Sequence, residues 1–92
     1  RSLEHLNLGG NQLGNTEAEQ IASCLPFNST LKDLRLQNNG IGDNGVQSLI
    51  TGLENNSSLQ NLSLNLNPIT ESIQPLLDEL IITHPFLKVS TR

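Results

Sequence analysis

The sequence predicts an α/β solenoid, a stack of strand-turn-helix units, and three observations carry that prediction. The first is a period: Leu3, Leu31, Leu59 and Leu87 stand 28 residues apart. The second is the pattern that travels with it, Leu3-Glu-His-Leu6-Asn-Leu8-Gly-Gly-Asn11-Gln-Leu13, then Leu31-Lys-Asp-Leu34-Arg-Leu36-Gln-Asn-Asn39-Gly-Ile41, then Leu59-Gln-Asn-Leu62-Ser-Leu64-Asn-Leu-Asn67-Pro-Ile69. The third is that each copy runs on into apolar residues at helical spacing. A fixed period of about 20–50 residues marks units that cannot bury their apolar faces alone and stack to do so. The 92 residues are therefore read as one domain, with units at 3–30, 31–58 and 59–86 and the start of a fourth at Leu87. With no polar capping unit in view, the domain is expected to be a fragment of a longer array.

The strands come first in each unit. Alternation at the end of each Leu-x-x-Leu-x-Leu segment is the period of a strand with one buried face. Leu6, Leu34 and Leu62 then point inward, while Asn7, Arg35 and Ser63 point out. Successive strands should be parallel neighbours joined by helical crossovers. Asn11, Asn39 and Asn67 share one position just after the strands, where a short amide can bond the backbone of its own turn and of the next unit, forming a structural ladder.

The helices follow. Ala18, Ile21, Ala22 and Leu25 form an i, i+3, i+4, i+7 stripe, and Val46, Leu49, Ile50 and Leu53 form another. A third stretch carries Ile73, Leu76, Leu77, Leu80 and Ile81. Thr16 with Glu19 has capping-box form, and Asp43 or Asn44 is placed to cap the second helix. Pro75 fits a first turn, where its missing N–H costs nothing. Pro26 and Pro85 are expected to end the first and third helices, and the run Asn55-Asn56-Ser57-Ser58 to end the second.

These units resemble the leucine-rich repeats of the ribonuclease-inhibitor-like class, Leu-x-x-Leu-x-Leu-x-x-Asn-x-Ile-Gly-Asp-x-Gly followed by a helix. Leu31 to Gly45 matches nearly position for position. The first unit has Asn15-Thr16-Glu17 where the pattern has Asp and Gly, and the third has Ile69-Thr70-Glu71-Ser72-Ile73. The resemblance covers residues 2–89. It implies a leucine-rich-repeat solenoid, with parallel β-strands on the concave face and helices on the convex face, and a protein-binding role. Members of the class include ribonuclease inhibitors, immune-receptor recognition regions, activators of the GTPase Ran and bacterial effectors. Ribonuclease inhibitor itself is cysteine-rich, whereas this chain has one cysteine.

Composition narrows the function. A net charge of −4 argues against nucleic acid, which needs clustered Lys and Arg. The five basic residues, Arg1, Lys32, Arg35, Lys88 and Arg92, fall in or beside strands, while most acids fall in turns and helices. The sequence has no apolar run long enough to span a membrane, and the single Cys24 excludes an internal disulfide. A cytoplasmic setting is the expectation. Cys24 is expected to pack beside the first helix stripe as a small hydrophobe.

Several motifs point elsewhere and do not hold. Gly40-Ile-Gly42-Asp-Asn-Gly45 satisfies the dinucleotide pattern Gly-x-Gly-x-x-Gly. The same place in the neighbouring units reads Asn11-Gln-Leu13-Gly14 and Asn67-Pro-Ile69-Thr70, Ile41 is a core position, and no acid ends a strand about 20 residues on. The glycines read as a tight strand-to-helix turn. Cys24, His5 and His84 lack zinc-ligand spacing. Sequons at Asn28, Asn55, Asn56 and Asn61 are inexpensive in a chain rich in Asn and Ser.

The expected function is a protein-protein interaction module without catalytic residues, cofactor or metal. Outward residues of successive strands form one patch: His5, Asp33 and Asn61 in one row, Asn7, Arg35 and Ser63 in the next, with Gln37 and Asn65 at the strand exits. His5 and Asp33 share a repeat position about 4.8 Å apart and read either as a solvated pair or as a partner contact. The alternatives are a regulatory fragment of a GTPase-activator-like or immune-receptor-like protein, a structural spacer, and end-to-end self-association of uncapped units.

Overall fold

The computed structural model describes residues 3–91. Four short strands, β1 (His5–Asn7), β2 (Asp33–Arg35), β3 (Asn61–Ser63) and β4 (Lys88–Ser90), form one parallel sheet in chain order. Helices α1 (Gly14–Cys24), α2 (Asp43–Leu53) and α3 (Gln74–Thr83) make the crossovers. The architecture is an α/β solenoid in which each unit adds one strand to the sheet and one helix behind it.

Register follows the leucine period. His5 pairs with Asp33 and Asp33 with Asn61, each 28 residues on. The fourth strand departs from it. Asn61 pairs with Lys88 and Leu62 with Val89, a step of 27, because Leu87-Lys-Val89 is one residue shorter than Leu59-Gln-Asn-Leu62. Leu87 still buries like Leu59 and Leu31, so the missing residue is absorbed between the entry leucine and the strand.

The core lies between sheet and helices. Leu34 and Leu62 from the strands, with Leu36 and Leu64 just beyond them, meet Ala18, Ala22, Val46, Leu49, Leu53, Leu77 and Leu80 from the helices, all buried. These are aliphatic layers of the kind the absence of Trp, Tyr and Met demands. Two glycines let α1 and α2 approach closely. A Cβ on Gly52 would stand 2.3 Å from the Ala22 carbonyl oxygen, and one on Gly45 would stand 2.6 Å from Asn15 Oδ1.

The helix starts differ from expectation. Thr16 lies inside α1, whose N-cap is Leu13 with no side-chain cap, so Thr16 and Glu19 form no capping box. Neither Asp43 nor Asn44 caps α2; its N-cap is Gly42. The side chain serving that terminus is Asn15 of the preceding unit, whose Oδ1 accepts from the N–H groups of Gly42 at 2.7 Å and Gly45 at 3.1 Å. Asp43 does the same one unit on, accepting from the Thr70 N–H at 2.9 Å and from the Thr70 hydroxyl. A free helix N-terminus leaves several donors unpaired, and at α2 two of the N–H groups there are satisfied from the neighbouring unit.

Pro75 sits in the first turn of α3, behind the 3-10 turn Glu71–Ile73 that Thr70 caps by accepting from Ser72 N–H. Pro26 stands in the 3-10 turn Leu25–Phe27 that closes α1. Cys24 is exposed rather than packed against the stripe, since the helix turns it to solvent between buried Ala22 and Leu25. Leu76 and Ile81 flank the buried face of α3 and stay partly open, at 38 % and 37 % exposure.

Candidate functional site

The outward positions of the four strands build a continuous polar face. Strand residues alternate sides, so Leu6, Leu34, Leu62 and Val89 turn to the core while their neighbours face solvent. One row reads His5, Asp33, Asn61 and Lys88, and the next Asn7, Arg35, Ser63 and Ser90. Lys88 and Ser90 extend both rows beyond the residues singled out in the sequence. A count of 28 places Val89 opposite Asn61; the polar-apolar-polar order Lys88-Val89-Ser90 was the signal that could have corrected it.

On the β1–β2 side of the face three side chains converge, Arg35, Asp33 and His5. Arg35 donates to Asp33 from Nε, at 3.3 Å to Oδ2, and from Nη2 at 3.2 Å. His5 Nδ1 approaches the same oxygen at 3.5 Å from the neighbouring strand. Asp33 and Arg35 are two residues apart on one strand and so share a face, while register brings His5 alongside. Asp33 is thereby covered, at 8 % exposure, while Arg35 and His5 stay open. The Arg35 guanidinium, by hydrogen bond and charge, holds the Asp33 carboxyl below its usual range against the opposing cost of burial, with His5 adding to the effect. Exposed ion pairs contribute only about 0–1 kcal/mol. Orientation of Arg35 is the larger consequence.

The remaining positions divide. Asn7 and Asn61 are exposed, Ser63 half-buried. The Asn7 side chain bends back to accept from Gly9 N–H at 3.0 Å. Gln37 lies over Gly9, where an added Cβ would stand 2.4 Å from its Nε2, and its Oε1 is buried without a hydrogen-bond partner. Asn65 is half-buried and makes a polar interaction of its own. Beside it stands Leu66, which sequence reasoning passed over: 78 % exposed and at φ +61°, in the place where the earlier units have Gly10 and Asn38, also at positive φ. A leucine where the pattern has small or amide residues was the available signal.

Amide ladders fix the edges of the face. Asn39 is 1 % exposed and uses both ends of its amide. Its Oδ1 accepts from the N–H groups of Asn11 at 2.8 Å and Leu13 at 3.3 Å, and its Nδ2 donates to the carbonyls of Leu8 and Leu36 at 2.9 and 3.0 Å. Asn67 repeats this one unit on, accepting from Asn39 and Ile41 and donating to Leu36 and Leu64. Asn11 keeps the local half, donating to Leu8 and Gly9. A second ladder runs where helices return to strands. Asn56 donates to the carbonyls of Leu25 and Asn28 and accepts from the N–H groups of Ser58 and Leu59, so the amide of that sequon is occupied by the fold.

Among the described residues no group of three His, Cys, Asp or Glu side chains is placed to hold a metal, and no helix is long and apolar enough to cross a membrane. Arg1 and Arg92, counted with the strand-side basic residues, lie outside the described residues.

The repeat class can now be stated. A family model described as Leucine Rich repeat matches residues 1–22 and 27–49, most of the first unit and most of the second. With a parallel strand and a helix contributed by each period, these matches support a leucine-rich repeat protein. Such repeats generally mediate protein-protein interaction and are typically not enzymes. A search of curated proteins finds no match to this chain.

Proposed function

We propose that this chain is a protein-binding module of the ribonuclease-inhibitor-like class of leucine-rich repeats, that it works in the cytoplasm, and that it takes its partner on the strand-lined, concave face. The observation that carries the reading is the Arg35–Asp33–His5 trio on the β1–β2 side of that face. The polar side chains Asn7, Asn61, Ser63, Lys88 and Ser90 continue the face around and beyond it, on backbone pinned at the strand exits by Asn39 and Asn67.

Arg35 is the central contact. Asp33 neutralises part of its charge and aims it, so the planar donor fork meets a partner carboxylate or carbonyl with less rotamer entropy to lose. Asn61 and Ser63 supply adaptable hydrogen bonds on the neighbouring strand, and Gln37 and Asn65 border the strand exits. Equivalent residues lie side by side on adjacent strands, so weak contacts add over an area without a pocket. The strand rows contain no aromatic anchor, which sets a modest affinity.

The test is comparative capture. Immobilised wild-type chain, Arg35→Ala and the helix-face variant Gln20→Lys are exposed to the same lysate and the bound proteins quantified by mass spectrometry. Proteins held by wild type and Gln20→Lys but lost from Arg35→Ala are expected. Equal capture by all three would remove the strand face as the binding surface.

A further inference from the structure

The helix side carries a second feature, independent of the strand face. In unit two, Gly45 and Gly52 let α2 lie against α1; the positions one period on are Ile73 and Leu80, both buried. Side chains of that size hold α3 away from α2. The result is an open groove of about 580 Å³ between the two helices. Its floor is apolar, with Ile50 and Leu80 at the bottom and Leu76 and Ile82 along the α3 wall, and Glu54 and Glu79 border it. Ile82 is 77 % exposed, an apolar surface left without cover.

Charge states what would cover it. From Leu36 to Leu87 the sequence has no Lys or Arg and five acids, Asp43, Glu54, Glu71, Asp78 and Glu79. Of the groove's lining side chains, Glu54 and Glu79 carry negative charge, no Lys or Arg is among them, and the His84 imidazole and Thr83 hydroxyl complete the lining; carboxylates without a Lys or Arg neighbour favour a cationic ligand. The groove runs along α3 from Leu76 to Thr83, about two helical turns. That length fits apolar anchors at i, i+3 or i+4 and i+7 on one face of a ligand helix.

We infer that the α2–α3 groove is a docking site for a basic amphipathic helix of a protein partner, its apolar face on Leu76 and Ile82 above the Ile50 and Leu80 floor and its Lys or Arg residues against Glu54 and Glu79. Apolar contact provides the affinity, and the acidic rim selects sign and speeds encounter. This surface is separate from the strand face, so either can fail without the other.

The probes are two synthetic helices of about 14 residues, each with a leucine stripe, one filled with lysine and the other with glutamate. Titrated into the 92-residue chain, the Leu/Lys peptide is expected to shift the amide resonances of Ile50, Glu54 and residues 76–83 to saturation. The Leu/Glu peptide is expected not to. Glu54→Lys/Glu79→Lys should weaken the Leu/Lys peptide about tenfold, and Ile82→Lys should weaken it comparably, with circular dichroism verifying that each variant is folded. The inference is overturned by equal binding of both peptides, by shifts centred on the strand face or on the exposed Leu66 and Phe86, by indifference to the substitutions, or by no saturable shift.

Discussion

Asn15 caps a helix that is not its own: its Oδ1 accepts from the Gly42 N–H at 2.7 Å, 27 residues along the chain. Asp43 stands one period after Asn15 and serves Thr70 in the same way. The start of α2, and the turn that leads into α3, thus depend on the unit before them. Asn15→Ala should destabilise the chain by about 1–2 kcal/mol, the usual cost of a lost cap. For a domain of this size that is a fall in Tm of roughly 4–16 °C. Asn15→Asp keeps the acceptor and adds charge favourable to a helix N-terminus, so its Tm should equal or exceed wild type. Thermal melts of the two variants decide it.

Asn39 tests the ladder from the donor side. Its Nδ2 faces three carbonyls, of Leu8, Leu36 and Gln37. Asn39→Asp replaces that donor with a buried anion facing acceptors, and about 3 kcal/mol or more should be lost at neutral pH. Asn11→Asp, at an exposed position, should lose far less. Denaturant titration should rank them in that order.

Leu66 adopts φ +61° with its side chain in solvent. Left-handed backbone costs a non-glycine residue roughly 1–2 kcal/mol. Leu66→Gly should therefore raise stability by up to about 1 kcal/mol, part of the relief being offset by the greater freedom of glycine in the unfolded chain. Gly52→Ala should act in the opposite direction. Alanine improves helix propensity, but its Cβ would fall 2.3 Å from the Ala22 oxygen, and overpacking of that kind costs about 1–3 kcal/mol. Denaturation midpoints for the pair check both signs.

Two carboxyls should report the geometry through pH. The Asp33 carboxyl is held below its ordinary value of 3.8 chiefly by the Arg35 hydrogen bond, and that of Asp43 chiefly by the Thr70 hydroxyl. A folded pKa below the unfolded one gives stability that is fully present above the unfolded value and is lost as pH falls through the folded one. Both contributions should hold at neutral pH and fade below about pH 4. In Thr70→Val the NMR titration midpoint of Asp43 should rise toward 3.8, while that of Asp33 stays where it is.

Much of the fold was legible because its signal is periodic. The leucines at 3, 31 and 59 gave register for three strands, and the helix stripes gave the buried faces of α1 and α2. What was not legible lay in relations between units. A capping rule is local, so Asp43 and Asn44 met its form for α2 while the acting side chain, Asn15, sat about a full period before the helix it serves, and Thr16 and Glu19 met it for α1, which has no side-chain cap. The fourth strand slipped by one because a count cannot see a single missing residue, although the alternation around Val89 could. Exposure of Cys24 turns on helix phase at its last residue, where the stripe gives least guidance. The outward strand residues followed from alternation alone. That Arg35 and His5 converge on Asp33 needed the side-chain geometry.

The strand face is the central claim, and site-specific photo-crosslinking tests it most directly. A photoreactive amino acid is placed at Asn61, exposed beside the trio, or at Gln20, exposed on α1, and the chain is irradiated in cell extract. A discrete protein adduct from Asn61 and none from Gln20 is the predicted result. Adducts from Gln20 with none from Asn61 would contradict the account and place the binding surface on the helices.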